Sequence, residues 1–137
     1  MTDKKSSATP KGELSIRVLA MPESTNPAGD IFGGWVLSQM DIAGGIVTKK
    51  FSKGRTVTIA VNSMTFLKPV LVGDTLCCYV DILKVGTTSI KVNIETWVAR
   101  QYEEEREKVT EGVFTYVAVC PNRKPRAIEE KCKVKCI

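Results

Sequence analysis

The chain has 137 residues, of which 43% are hydrophobic, and it carries a formal net charge of +5. This length fits one domain with a single core, and no apolar run approaches the roughly eighteen residues of a membrane-spanning helix. Histidine is absent, which removes the usual base of Ser-His-Asp and Cys-His catalysis and the usual ligand of catalytic zinc. The positive charge favours an anionic partner, but nucleic acid is not expected, because no aromatic ladder is interleaved with basic residues.

The two ends of the chain differ in composition from its middle. Residues 1–12 are polar and contain no apolar stretch, so we expect neither a secretion signal nor a membrane anchor there, and residues 122–137 are basic. The five cysteines are odd in number and lack CxxC spacing, so we expect reduced thiols, no metal site and a cytoplasmic location. Cys132 and Cys136 fall in the basic segment, where a solvated surface is favoured. We expect a flexible tail over 1–12, one domain over 13–121 and a basic tail over 122–137.

In chain order, the first predicted element is a strand over 13–20, because every second residue there is apolar. A turn-rich loop leads to one long helix, predicted over 34–50. Four strands with short links follow, over 56–70, 75–83, 90–98 and 109–119. In the first of these four, the apolar residues change parity at Asn62-Ser63, which predicts a bulge. This order indicates an α+β fold, in which an antiparallel sheet of about five strands packs on one helix.

The predicted helix opens on Gly33-Gly34 and carries a single acid, Asp41, among apolar residues. A desolvated carboxylate is costly, so Asp41 must find hydrogen-bond donors, become neutral or face a cleft; a solvent-facing helix side is the simpler alternative. The two glycines leave the helix N-terminal amides open to a ligand, and a developing oxyanion would fit there. We interpret Asp30 as a cap of this helix.

A second glycine pair, Gly44-Gly45, lies in the middle of the predicted helix. A glycine in a helix interior costs about 1 kcal/mol relative to alanine. Close packing against the sheet would offset that cost. We therefore expect the sheet to wrap around the helix.

Four segments together resemble a known family: "LAMPESTNPAGDIFGGWVLSQMDIAGG", "VTIAVNSMTFLKPVLVGD", "LKVGTTSI" and "VFTYVAV". They are similar to the bacterial acyl-CoA thioesterases of the hot-dog superfamily, in the branch shared with cytosolic acyl-CoA hydrolases of animal cells. The resemblance covers residues 13–120. It implies a long central helix wrapped by an antiparallel sheet, and pairing of two such units into a continuous sheet.

The resemblance also implies an activity, namely hydrolysis of an acyl-CoA thioester to a free acid and CoA, with no cofactor apart from the CoA of the substrate. Asp41 would activate water as general base or attack the thioester carbon, Asn26 would orient thioester or water, and the amides of Gly33 and Gly34 would hold the oxyanion. The site would lie between two subunits of a homo-oligomer, at least a dimer and by resemblance a trimer of dimers. Without the resemblance, Asn26 in "STNPAG" is typical of a turn.

The predicted CoA contacts are Lys68 and a hairpin link whose amides and hydroxyls suit phosphates, namely Gly86, Thr87, Thr88 and Ser89. An ordinary hairpin turn explains the link equally well. Family members often carry a basic residue where Thr87 stands, so Arg55, Lys84 and Lys91 are alternative sources of positive charge.

Two other functions are weighed against hydrolysis. A hot-dog dehydratase or hydratase typically depends on a His-Asp pair, which a chain without histidine lacks. A non-catalytic module that binds acyl-CoA would not need Asn26 and Asp41, which are both present. An assay for released thiol separates an enzyme from a binding module.

Overall fold

The structure is a computed structural model that describes residues 9–128. Cys132 and Cys136, interpreted above as surface residues, lie outside the described residues. The elements of the structure are β1 (Glu13–Leu19), a 3-10 turn (Pro22–Ser24), α1 (Gly33–Ser52), β2 (Thr56–Phe66), β3 (Thr75–Val85), β4 (Ser89–Ala99) and β5 (Arg106–Ala118). The five strands form one antiparallel sheet in the order β1-β3-β4-β5-β2. The predicted α+β fold with about five strands and one long helix is confirmed.

The helix α1 begins and ends close to the predicted positions. Phe32 takes the N-cap position without a side-chain capping bond, and Lys53 ends the helix in the left-handed conformation, with its N–H bonded to the Lys49 carbonyl. The interpretation of Asp30 as the cap is wrong, because Asp30 precedes the N-cap by two residues and its carbonyl accepts from the Asn26 amide. No helix within residues 9–128 is long and apolar enough to cross a membrane.

The sheet curves around α1, so that the helix contacts all five strands. Its inner face forms the core with the buried side of the helix. The fully buried side chains with the largest volumes include Met40, Leu76, Ile90, Ile94, Phe114 and Tyr116. Since the strands that supply most of them, β4 and β5, lie inside the sheet, the core sits between the middle strands and the helix. The prediction that the sheet wraps around the helix is confirmed.

The predicted bulge is present in β2. The pairing of β2 with β5 shifts between Asn62 and Thr65, and Ser63 has a φ of 58°. The inserted residue changes which side of the strand faces the helix. Consequently Val57, Ile59 and Val61 are exposed, whereas Met64 packs against the core.

Residues after β5 continue to pack on the domain. Arg126 is buried and donates from Nη2 to Ser52 Oγ at 3.0 Å and from Nε to the Val119 carbonyl at 3.1 Å. Ile128 belongs to the hydrophobic core. The ordered packing therefore extends past residue 121, where the sequence places the end of the domain.

The cysteines of β3 and of the segment after β5 differ in state. Cys77 and Cys78 are buried free thiols, and burial raises the pKa of Cys78 to about 12. Cys120, in contrast, is disulfide-bonded. The expectation of reduced thiols is thus correct for the pair in β3 and wrong for Cys120.

Candidate active site

Asp41 is held by two hydroxyl groups. Its Oδ1 accepts from Thr58 Oγ1 at 2.5 Å and from Tyr116 Oη at 3.0 Å, and Tyr116 Oη also lies 2.9 Å from the Asp41 carbonyl oxygen. Oδ2 accepts no hydrogen bond from the residues that the structure describes. Of the three alternatives considered for Asp41, namely donors, neutrality or a cleft, the structure shows the first. The two donors fix Oδ1 and leave Oδ2 available to a substrate or water.

The two donors come from neighbouring strands. Thr58 in β2 is paired directly with Tyr116 in β5, so their side chains meet the helix at the same level. Burial raises the pKa of Tyr116 well above its ordinary value, and the Asp41 charge adds to this effect. The phenol consequently stays protonated and keeps donating. Neither residue was predicted from the sequence. Thr58 could have been found because it carries a hydroxyl and lies two residues after the buried Thr56, on the side of β2 that faces the helix.

Gly44 allows Tyr116 to reach the helix. A Cβ on Gly44 would lie 2.2 Å from Tyr116 Oη and 2.9 Å from Ile94 Cδ1, which is closer than atoms pack. At Gly45, the neighbour that an added Cβ would meet among residues 9–128, apart from the helix backbone, is Lys49 Nζ at 3.2 Å, the end of a flexible side chain. The close packing predicted from the glycine pair is thus present at Gly44, where it also positions the donor to Asp41.

We expect Gly44→Ala to lower both stability and turnover, whereas Gly45→Ala should leave stability equal or higher. The first substitution overpacks a rigid contact at a cost of about 1–3 kcal/mol, and the second improves helix propensity by about 1 kcal/mol with only a lysine end to move. Urea unfolding of the two variants measures the difference. Equal stabilities would show that Tyr116 does not pack against Gly44 as described.

The side-chain oxygen of Asn26 stabilises a turn, while its side-chain amide group is left without a partner among residues 9–128. Its Oδ1 accepts from the amides of Ala28 at 2.9 Å and Asp30 at 3.1 Å, which is the turn that "STNPAG" indicates. The side-chain amide group of Asn26 makes no hydrogen bond within residues 9–128. Its two N–H donors are therefore available to a ligand.

Asn26 lies beside the start of α1. With Gly33 and Lys68 it lines a cavity of about 150 Å³ whose other walls are Asp30, Ile31, Val36, Phe66, Pro69, Val70, Val109 and Thr110. Gly34 has open space where its Cβ would be. The structure therefore brings together three of the predicted site residues, an amide side chain, a helix-start glycine and a lysine.

Asp41 does not line this cavity, because it lies further along the same helix. It is eight residues after Gly33, which corresponds to roughly 12 Å along the axis at the rise of an α-helix. One chain therefore does not present the helix-start amides and the carboxylate to a single thioester carbon.

The predicted CoA contacts are at opposite ends of the sheet. In the Gly86–Ser89 link, the Thr87 carbonyl accepts from the Ile128 amide and the Thr88 carbonyl from the Ala118 amide. Lys68 instead lies near the start of β5, where it pairs with Glu107 at 3.3 Å. The nine residue-to-residue steps from Val109 to Ala118 span roughly 30 Å of strand, so Lys68 and the link of one chain do not bind the same phosphate group.

Comparisons with known proteins show which proteins this chain resembles. Residues 28–105 match the thioesterase superfamily. The chain is 56% identical over 123 residues to the acyl-CoA thioester hydrolase YciA of Salmonella typhimurium, which covers 88% of this chain and 92% of that protein. Among solved structures, the hexameric thioesterase y2039 from Yersinia pestis matches with a TM-score of 0.85 and 54% identity, covering 90% of this chain and 100% of that one.

A hexameric hotdog fold thioesterase of Campylobacter jejuni matches with a TM-score of 0.81 and 41% identity, covering 86% of this chain and 91% of that one. The chain belongs to the thioesterase superfamily, and its fold is the hot-dog fold. The resemblance drawn from the sequence motifs is confirmed.

Proposed function

We propose that the protein hydrolyses acyl-CoA thioesters to free acids and CoA. The observation that carries the proposal is the carboxylate of Asp41, oriented through Oδ1 by Thr58 and Tyr116 and open at Oδ2. The names of its relatives support the substrate class, since the Salmonella typhimurium protein is called an acyl-CoA thioester hydrolase. The absence of histidine from the sequence agrees with a carboxylate-based mechanism.

Asp41 Oδ2 acts either on water or on the thioester. As general base it takes a proton from water, the hydroxide adds to the thioester carbon, and the collapsing intermediate expels the CoA sulfur, which receives the proton. As nucleophile, Oδ2 itself bonds to the carbon, the thiolate leaves, and water hydrolyses the resulting anhydride. In both routes the amides of Gly33 and Gly34 stabilise the oxyanion, and the free amide group of Asn26 orients the reacting group.

Because Asp41 is about 12 Å from Gly33 along the helix, these groups come from two chains in the proposed site. The β2 edge of the sheet supports such an assembly: it is unpaired in the single chain and exposes Val57, Ile59 and Val61. Exposed apolar edges of this kind pair with another chain. The solved relatives from Yersinia pestis and Campylobacter jejuni are hexameric, and we propose a trimer of dimers here.

Light scattering at micromolar concentration tests the assembly. We expect six times the 15.1 kDa mass of one chain, and a dimer as the smallest active unit. A fully active monomer would contradict a site shared by two chains.

The reaction needs no cofactor beyond the CoA of the substrate, and we propose a cytoplasmic location. Thiol release from acetyl-, butyryl- and longer acyl-CoA, followed with a thiol-reactive dye, tests the activity and gives the preferred chain length. The control is the Asp41→Asn protein at the same concentration. Binding of acyl-CoA without thiol release would favour the non-catalytic module, and neither binding nor release would contradict both functions.

A further inference from the structure

The start of α1 is held in place by backbone hydrogen bonds from neighbouring segments. Phe32, at the N-cap position, has no side-chain group that can cap a helix, and residues 33 and 34 are both glycine, which has the greatest backbone freedom. Just before them, the Ile31 amide donates to the Val70 carbonyl at 3.0 Å. The Phe32 amide donates to the Ser24 carbonyl at 2.9 Å. The direction of the helix-start amides therefore depends on where these two carbonyl groups are held.

The Val70 carbonyl belongs to the segment between β2 and β3, residues 67–74, which we call the β2–β3 loop. Lys68, Pro69 and Val70 of this loop line the cavity of about 150 Å³ beside Gly33, which we call the helix-start cavity. A loop has no ladder of strand or helix hydrogen bonds, so other hydrogen bonds must fix its position. Whatever holds the β2–β3 loop thus also places one of the two carbonyl groups that orient α1.

Asp74 and Arg100 hold the β2–β3 loop on both sides of Val70. Asp74 Oδ2 accepts a hydrogen bond from the Leu71 amide at 2.8 Å and another from Arg100 Nη1. Both terminal nitrogens of Arg100 also donate to the Pro69 carbonyl at 3.3 Å. Asp74 is 2% exposed, and a carboxylate buried to this extent needs a charged, hydrogen-bonded partner. The residues before and after Val70 are therefore fixed to one buried ion pair.

The planar guanidinium of Arg100 is needed for this set of contacts. It presents its N–H donors in fixed directions, so it bonds the Pro69 carbonyl, Asp74 and, at 3.2 Å, Glu107 Oε1 at the same time. Arg100 follows the end of β4 and Glu107 lies in β5, so the guanidinium ties the loop to two strands. A lysine keeps the charge beside Asp74 but has a single nitrogen. Arg100→Lys therefore loosens the loop without leaving a buried carboxylate unpaired.

We propose that Asp74 and Arg100 are positioning residues, which hold the two helix-start amides where the oxyanion forms. This inference rests on the proposed function. The link is the β2–β3 loop with its hydrogen bond from Ile31 to Val70. Neither Asp74 nor Arg100 is among the described residues that line the helix-start cavity, so they act through the backbone. Amides that bind an oxyanion act mainly in the transition state, so their displacement lowers kcat more than it raises KM.

Steady-state thiol release from butyryl-CoA tests the proposal. Arg100→Lys should lower kcat by about tenfold or more and keep KM within about twofold, since displacing a catalytic group by about 1 Å can cost about 10²-fold. Arg106→Lys is the matched control. Arg106 donates to Tyr79 Oη at 2.7 Å and lies over the Trp97 ring, and these contacts are to β3 and β4. This control should therefore keep kcat within about twofold of the wild type.

Two further variants separate positioning from a general loss of stability. Val80→Ala truncates a core side chain of β3 that is 3% exposed, so it should lower the urea midpoint while kcat stays near that of the wild type. Asp74→Asn should lower kcat as Arg100→Lys does, and the double variant should lose little more than either single variant. Additive losses, or a kcat loss in Arg100→Lys no larger than that of an equally destabilised Val80→Ala protein, would overturn the proposal.

Hydrogen exchange of the Ile31 amide gives a result that is independent of turnover. In the wild-type assembly the Val70 carbonyl protects this amide, and in Arg100→Lys it should exchange at least about tenfold faster, with no change in Arg106→Lys. Unchanged Ile31 exchange in Arg100→Lys would contradict the link through the loop. A wild-type protein that releases no thiol, but whose Ile31 exchange responds as expected, would contradict the proposed hydrolysis and retain the control of the helix start by Arg100.

Discussion

Asp41→Asn should lower turnover by at least about 10²-fold, the contribution expected of a positioned base or nucleophile. The asparagine oxygen can accept the hydrogen bonds from Thr58 and Tyr116, so the fold should be retained. The nitrogen then replaces Oδ2, where it neither accepts a proton nor attacks a carbonyl carbon. Steady-state thiol release on butyryl-CoA measures the loss, and calorimetry with a non-hydrolysable CoA thioether checks that binding is unchanged.

A matched control for this variant is Asp81→Asn, a carboxylate of β3 that is half-buried like Asp41. It should leave turnover near that of the wild type. A homogeneous, folded Asp41→Asn protein with near-normal turnover would remove Asp41 from the mechanism.

The second large effect is complementation between two inactive chains. Asn26→Ala and Asp41→Ala proteins should each be nearly inactive, yet recover activity when co-assembled. In a mixed dimer one site draws Asn26 from one chain and Asp41 from the other, so it is wild type, while the second site carries both lesions. Random mixing makes about half of the dimers mixed, so recovery should approach about a quarter of wild-type turnover.

Two variants make the complementation result specific. Asn26→Asp keeps an acceptor for the Ala28 and Asp30 amides but loses the side-chain amide donor, so it separates catalysis from the loop turn. Asn26→Ala mixed with the Asn26→Ala/Asp41→Ala double variant cannot form an intact site and should stay inactive. Subunits are mixed by co-expression and verified with two affinity tags. Verified mixed dimers without recovery would place both residues in a site within one chain.

The order of elements was predictable because it depends on local signals. Alternating apolar residues locate the strands, and the parity change at Asn62-Ser63 locates the bulge. The glycine pair Gly44-Gly45 even indicates that the sheet approaches the helix. Each of these signals is contained in fewer than about twenty consecutive residues, which is the range over which periodicity can be read.

The donors to Asp41 could not be predicted, because they depend on strand register. Thr58 and Tyr116 meet only because residue 58 of β2 pairs with residue 116 of β5, and a shift of β2 by one residue would turn Thr58 away from the helix. The packing of Arg126 on Ser52 is of the same kind, since 74 residues separate its partners. Register follows from the complete core, and a single sequence does not report it.

Thr58 belongs to β2, the strand with the unpaired edge, and this gives the proposed assembly a further consequence. In the proposed assembly, β2 would join two subunits, and it is also the strand whose Thr58 holds the Asp41 carboxylate. A newly made, unassembled chain would then contain only part of the site, and the strand that holds its Asp41 carboxylate would still be an unpaired edge of the sheet. If the site is shared as proposed, hydrolysis starts only when two chains have assembled, and an unassembled chain leaves acyl-CoA intact.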